Sequence, residues 1–148
     1  MNKNRQLLAF AVLGAAILGC NLPRSAPAQP QVSSSGLPAV TLQPGSGYLF
    51  ATQQIALGPN DRDVWWNGSN LVPDGGLASL GQLNNLASVQ QISRARLKSD
   101  FLIPMPGEAF VVEVTPGTDY ALMRVLSIGS QAEISFEWVY PFAGQVLP

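Results

Sequence analysis

The stretch Ala132-Glu133-Ile134-Ser135-Phe136-Glu137-Trp138-Val139-Tyr140 decides the reading of this chain. Ile134, Phe136, Trp138 and Tyr140 alternate with Glu133, Ser135 and Glu137. Successive side chains of a strand point to opposite faces, so the pattern spells a β-strand with one buried face and one wet face. Antiparallel sheets tolerate water on one side in this way. Pro141 lacks the N–H that would continue the ladder and ends the strand.

Two further strands precede it at hairpin distance. Ala109 to Val114 places Phe110, Val112 and Val114 on one face, and Thr115-Pro116-Gly117-Thr118 carries the Pro-then-Gly order of a type II turn. Tyr120 to Ile128 reads as the next strand, turned by Gly129-Ser130. Three strands with tight turns make a C-terminal meander. Upstream, Tyr48 to Ile55 reads as one strand, and Gly58-Pro59-Asn60-Asp61 as a turn. Asp63-Val64-Trp65-Trp66 is a short strand that stops at Asn67-Gly68, a strong hairpin dipeptide. Val72 to Gly76 turns the chain again.

Leu77, Leu80, Leu83, Leu86, Val89 and Ile92 recur every third residue. A period of three slips about 60° per step on an α-helix, so these side chains spiral and form no single stripe. Gly81 and Asn84-Asn85 break the run, which leaves an extended piece at Leu77 to Leu80 and a short helix at Leu86 to Ser93. Arg94, Arg96 and Lys98 then alternate, which places all three on one face of an extended segment. The prediction is a mainly β fold. It is a small antiparallel β-sandwich or partly open barrel with a C-terminal three-stranded meander and one short helix, in a single domain over residues 46–148. Charged residues make up only 11% of the 148, and Gly and Pro together number 26, a composition of turns rather than of salt-bridged helices.

The N-terminal end is of another kind. Lys3 and Arg5 lead into an uncharged apolar run, Leu7 to Leu18. Its 12 residues fall short of the roughly 20 that span a bilayer. A positive start, a short apolar core and a small residue at its end describe a secretion signal. Gly19 then precedes Cys20, the one cysteine. Residues 1–19 are therefore read as a signal peptide. Residues 20–45, rich in Pro, Ser and Gln, are read as a tether that would reach about 75 Å if extended. Val40-Thr41-Leu42 within it could add a short edge strand. An ordinary cut after Ala28, in Ala26-Pro27-Ala28, and an uncleaved membrane anchor are competing readings.

Ile17-Leu18-Gly19-Cys20 resembles the lipobox of bacterial lipoproteins: aliphatic, variable, small, cysteine. The resemblance implies cleavage between Gly19 and Cys20, a diacylglycerol thioether on Cys20 and, in many bacteria, an N-acyl chain as well. Two or three acyl chains hold a protein on a bilayer where one is marginal. In lipoproteins of double-membraned bacteria an Asp after the cysteine tends to mark retention at the inner membrane; Asn21 leaves the outer membrane open as a destination. The folded part resembles a small β module of secreted bacterial proteins. The shared features are Asp63-Val64-Trp65-Trp66, Leu80-Gly81, the strands Gly107 to Val112 and Tyr120 to Val125, and Glu137-Trp138-Val139-Tyr140. That resemblance implies no activity.

Removing Lys3 and Arg5 with the signal leaves six basic side chains against nine acidic ones, a net charge of −3. Nucleic-acid binders carry a basic patch, so nucleic acid is not an expected partner. Histidine is absent, which removes the Ser-His-Asp triad, the Cys-His pair and imidazole metal ligation together. With Cys20 lipidated no thiol is left for a disulfide, so the exported domain relies on its core.

Trp65 and Trp66 are the candidate binding residues: strand neighbours face opposite ways, so one is buried and the other is either exposed, for a sugar or a protein, or covered by the Leu77 to Ile92 segment. Asp61 and Asp63, with Asn60 and Asn67, are oxygen donors of the type calcium takes, but lack the full acidic loop spacing of a calcium hand; a solvated turn is the simpler reading. Glu133 and Glu137 lie four residues apart on one strand face, about 13 Å, beyond the roughly 5–9.5 Å of a glycosidase pair. Glu113 could approach either across the sheet, although solvated surface charge is the simpler role for all three. No catalytic residue is assigned. Arg94, Arg96 and Lys98 could meet lipid headgroups or an acidic glycan, or serve as a solvated edge that discourages strand pairing.

The expectation is a lipid-anchored cell-envelope lipoprotein on the cell surface or periplasmic face, acting as a non-catalytic binding or structural module. No cofactor is expected beyond the covalent lipid on Cys20. Its partners would be membrane lipid and an envelope protein or glycan. The alternatives are an accessory subunit of an envelope complex and a carboxylate-dependent envelope enzyme acting on glycans. A pocket with two close carboxylates would favour the enzyme, and a flat apolar patch around an exposed tryptophan the subunit.

Overall fold

A computed structural model describes residues 31–58 and 60–148. The signal segment, Gly19, Cys20 and the first part of the expected tether lie outside the described residues. In chain order the strands are β1 (Gln31–Val32), β2 (Pro38–Leu42), β3 (Ser46–Leu49), β4 (Gln54–Leu57), β5 (Val64–Trp66), β6 (Leu71–Pro73), β7 (Leu77–Gln82), β8 (Gln91–Ser93), β9 (Glu108–Thr115), β10 (Asp119–Ile128), β11 (Ile134–Val139) and β12 (Gln145–Leu147). An antiparallel six-stranded sheet runs β1-β2-β11-β10-β9-β7 and an antiparallel four-stranded sheet runs β4-β3-β5-β6. The short β8 and β12 pair in parallel. The fold is a small antiparallel β-sandwich, and β9, β10 and β11 form the meander.

The alternating apolar residues explain the sandwich. Phe110, Val112, Met123, Phe136 and Trp138 from the large sheet meet Tyr48, Phe50, Val64, Trp66 and Leu71 from the small one in the main core. Tyr48 stands edge-on to Phe50 at 5.2 Å and to Phe136 at 5.7 Å between ring centres, the geometry that ring quadrupoles favour. Burial pushes the Tyr48 phenol up to about 12, and its contact with the Trp138 side chain offsets part of that rise.

The other face of the meander was expected to be wet. It carries a second core instead. Ala109, Val111, Tyr120 and Leu122 project there and are covered by Leu86 and Ile92, with Leu37, Leu83 and Leu97 at the margin. The three-residue repeat is therefore divided: Leu77 and Leu80 lie on β7, with Leu77 in the main core, while Leu83, Leu86, Val89 and Ile92 pack over the other face of the large sheet. The short helix expected at Leu86 to Ser93 is a single 3-10 turn, Leu86–Ser88, followed by β8. Asn85 caps it, its side chain accepting from Ala87 N at 2.8 Å. A second 3-10 turn, Arg94–Arg96, replaces the extended segment that would have aligned Arg94, Arg96 and Lys98.

Two further expectations change. The expected tether ended at residue 45, yet β2 lies inside the large sheet, with Val40 and Leu42 buried in the main core. The prolines did not prevent this. Pro38 sits at the start of β2, where a missing N–H is tolerated, and Pro44 lies beyond its end. Residues Gln31–Val32 and Pro38–Leu42 of the expected tether thus belong to the large sheet. The strand expected over Tyr48 to Ile55 is a hairpin, β3 to β4, turning through residues 50–53 with Gln53 at φ 56°.

One side of the sandwich is bridged by an extended strap. Lys98 exchanges backbone hydrogen bonds with Leu77 of β7 at 2.8 and 3.0 Å, and Leu102 does the same with Leu71 of β6 at 2.9 and 3.0 Å. The strap therefore binds one edge of each sheet.

Candidate functional site

The two tryptophans of β5 point opposite ways. Trp66 enters the main core, and its Nε1 donates to the Ala132 carbonyl at 2.5 Å. That bond ties the small sheet to the turn between β10 and β11. Trp65 lies on the outer face of the small sheet, half-exposed, with Gly47 and Val72 as its cross-strand partners. The Arg62 guanidinium lies 5.1 Å from the centre of its ring, and of the segment expected to cover Trp65, Leu77–Gln82 forms β7 while Leu83 to Ile92 lies over the large sheet. Gly47 makes room for this stack. A Cβ there would come 2.9 Å from the Val64 carbonyl and 3.0 Å from Arg62 Cβ. Arg62 Nε and Nη1 and Trp65 Nε1 are buried without a hydrogen-bond partner among the described residues. A cation over an indole contributes about 0.5–1 kcal/mol at an exposed site, and a donor left unmade costs about 1–3 kcal/mol. The guanidinium thus covers part of the indole, and the unpaired donors lie beneath the surface of the stack.

Asp63 does not face solvent with Asp61. Its carboxylate is buried and accepts from the Phe50 backbone N–H at 2.7 Å, holding the β3–β4 turn. Burial pushes its pKa up, the Phe50 bond opposes that, and the nearby Asp74 charge adds to the rise. Asp61 is exposed, in the left-handed conformation at φ 55°. Asp63 therefore departs from the solvated turn expected for it, and among the described residues no three acidic, histidine or cysteine side chains cluster as metal ligands.

Glu137 is the largest correction. Expected on a wet face, it has 0% of its surface accessible. Arg124, opposite it on β10, donates from Nε at 2.7 Å, and the Ser35 hydroxyl also donates to it. Burial alone would raise the Glu137 pKa; hydrogen bonds from the Ser33–Ser35 loop and Arg124, with the Arg124 charge, outweigh it and hold the carboxyl below its usual range. Arg124 also donates to the Leu83 carbonyl at 3.3 Å, so the pair pins both covering segments to the sheet. A lone cation and a lone anion in two facing apolar strands were the available sequence signal. The partnership of Arg62 with Trp65 left no such signal, because Asp63 and Val64 separate them and only the fold stacks them.

The other carboxylates are engaged locally. Glu113 accepts from the Gly117 backbone at 2.6 Å and Glu133 from the Gln131 backbone at 3.0 Å. Glu108 accepts from Ser79 Oγ at 2.5 Å and from the Met105 backbone at 3.1 Å. A shallow pocket of about 310 Å³ beside the β9–β10 turn is lined by Arg94, Thr118, Tyr120 and Val146 among others, and no carboxylate side chain lines it. Comparison with known proteins returns no matching family model, curated protein or solved structure.

Proposed function

We propose that this chain is an exported lipoprotein, cut before Cys20 and held at the cell envelope by acyl chains on that residue. Its β domain is a non-catalytic binding or structural module, and its ligand-facing surface is the outer face of the small sheet at Trp65. One observation carries the binding reading: of two adjacent tryptophans, Trp66 closes the core while Trp65 stays partly exposed on the other face, beside the Arg62 guanidinium. The engagement of Glu108, Glu113, Glu133 and Glu137 in turns and cross-strand contacts supports structural rather than chemical duties for those acids. The anchor reading rests on the charged start, the apolar run Leu7 to Leu18 and the lipobox-like Ile17 to Cys20.

Cells grown with labelled palmitate test the anchor. Label should enter the native chain and vanish from the Cys20→Ala variant, which should appear in the soluble fraction. A wild-type chain without label ends the lipid reading. Binding to isolated envelope glycan and to detergent-solubilised envelope protein tests the module. Trp65→Ala should weaken retention on whichever fraction holds the wild type by about tenfold, the loss of one stacking anchor. Equal retention of both would remove Trp65 from the site.

A further inference from the structure

The pocket beside the β9–β10 turn holds a cation that no acid claims. Arg94 opens the 3-10 turn after β8 and is exposed. Its guanidinium lies along Gly117: a Cβ on that glycine would stand 2.9 Å from Nη2, 3.4 Å from Cζ and 3.5 Å from Nη1. Gly117 also takes the left-handed φ of 79° that the turn requires, so one residue both turns the hairpin and seats the fork. Among the described residues the one ion pair joins Arg124 to Glu137, and no carboxylate side chain lies within ion-pair distance of Arg94. Glu113, the acid bonded to this turn, accepts from the Gly117 backbone N–H at 2.6 Å.

The other walls are of two kinds. Val146 and Leu147 of β12 present hydrocarbon. Tyr120 of β10 is 3% exposed, and its hydroxyl has no hydrogen-bond partner among the described residues. Buried polar groups are nearly always paired. This hydroxyl is covered, and a side-chain rotamer change of the kind that commonly accompanies binding would bring it within reach of an acceptor held by Arg94. The volume of about 310 Å³ is at the small end of ligand pockets.

We propose that this pocket binds a single carboxylate carried on a small hydrocarbon group, with Arg94 as its charged partner and Val146 and Leu147 against the hydrocarbon. The inference depends neither on the lipoprotein reading nor on Trp65. A guanidinium fork matches carboxylate and phosphate alike. One cation, in a chain with nine acids to eight bases, suits a monoanion better than a phosphate dianion. The apolar wall suits an alkyl group beside the acid better than the hydroxyls of a uronic acid. Such a carboxylate comes from a free organic acid or from the end of a peptide.

The test is a ligand-observed NMR titration of the full chain in mild detergent. The probes are isovalerate, N-acetyl-dialanine, the C-terminal amide of that dipeptide, and glucuronate. At least one of the two apolar acids should bind with a Kd of about 1 mM or tighter, and the amide at least about tenfold more weakly. Isovalerate bound alone assigns the free acid, N-acetyl-dialanine bound alone assigns the peptide end, and both bound support the shared chemistry. Arg94→Ala should weaken binding at least about tenfold without moving the melting temperature. Arg96→Ala, at a neighbouring cation held to the Ser79 carbonyl at 3.1 Å, should bind as the unsubstituted protein does. No binding of either apolar acid overturns the inference. So does equal binding of the amide, a preference for glucuronate, displacement of the acid by sulfate at equal concentration, or an Arg94→Ala variant that binds unchanged.

Discussion

At the scale of single residues, Glu137 and Arg124 show how a charged pair can sit inside a sheet face that looks solvated in one dimension. Breaking a buried pair leaves a charge without its partner, at about 3 kcal/mol. Glu137→Gln should lower the urea midpoint accordingly, and Arg124→Met with Glu137→Leu should recover most of the loss, because no charge is then stranded. A double variant as unstable as the single one would contradict this account. The pair also sets an acid response. The folded-state pKa of Glu137 lies below its ordinary 4.5, so its contribution is complete above that value and is lost as pH falls through the folded-state value. The melting temperature of the wild type should therefore fall more steeply below pH 4.5 than that of Glu137→Gln. Parallel curves would show that the carboxylate is not held low.

At the scale of elements, β2 matters most because it takes Ala39, Val40 and Leu42 of the expected tether into the buried interior. Leu42 is fully buried, so Leu42→Ala should cost about 3 kcal/mol in chemical denaturation. A change within about 0.5 kcal/mol would mean that residues 38–42 are not part of the fold. The hairpin missed at Tyr48 to Ile55 has a similar lesson. Its turn, Phe50-Ala51-Thr52-Gln53, contains no Gly, Pro or Asn, and its one strained position is occupied by Gln53 at φ 56°. Glycine reaches that conformation without the Cβ clash, so Gln53→Gly should stabilise by about 0.5 kcal/mol in the same assay. The meander, and β5 with the Asn67-Gly68 turn that ends it, were legible in the sequence because alternation and turn residues agreed, whereas β6 falls partly on Val72-Pro73, which reads as turn. β2 was legible in part, as a possible short edge strand at Val40 to Leu42, although its place between β1 and β11 was not; the β3–β4 turn was missed because its residues carry no turn signal. At the candidate site, the opposite facing of Trp65 and Trp66 was legible from strand geometry, while the Arg62 stack was not, since it depends on Gly47 of the neighbouring strand leaving space.

At the scale of the whole molecule, the large sheet has two apolar faces and needs two covers. The small sheet supplies one and the segment from Leu83 to Leu97 the other. Pinning that second cover takes the Ser33–Leu37 loop as well, through Ser35 and Leu37. A chain beginning at residue 46 should therefore lose cooperative unfolding, while one beginning at residue 31 should keep it, as followed by near-ultraviolet circular dichroism during urea titration. The anchor itself is the central claim, and intact-mass spectrometry of the protein purified from its native membrane tests it most directly. The account predicts a chain that starts at Cys20 and carries the added mass of a diacylglyceryl group, with or without a further acyl chain. A chain that starts at Gln29, or one that carries a free thiol at Cys20, would contradict it.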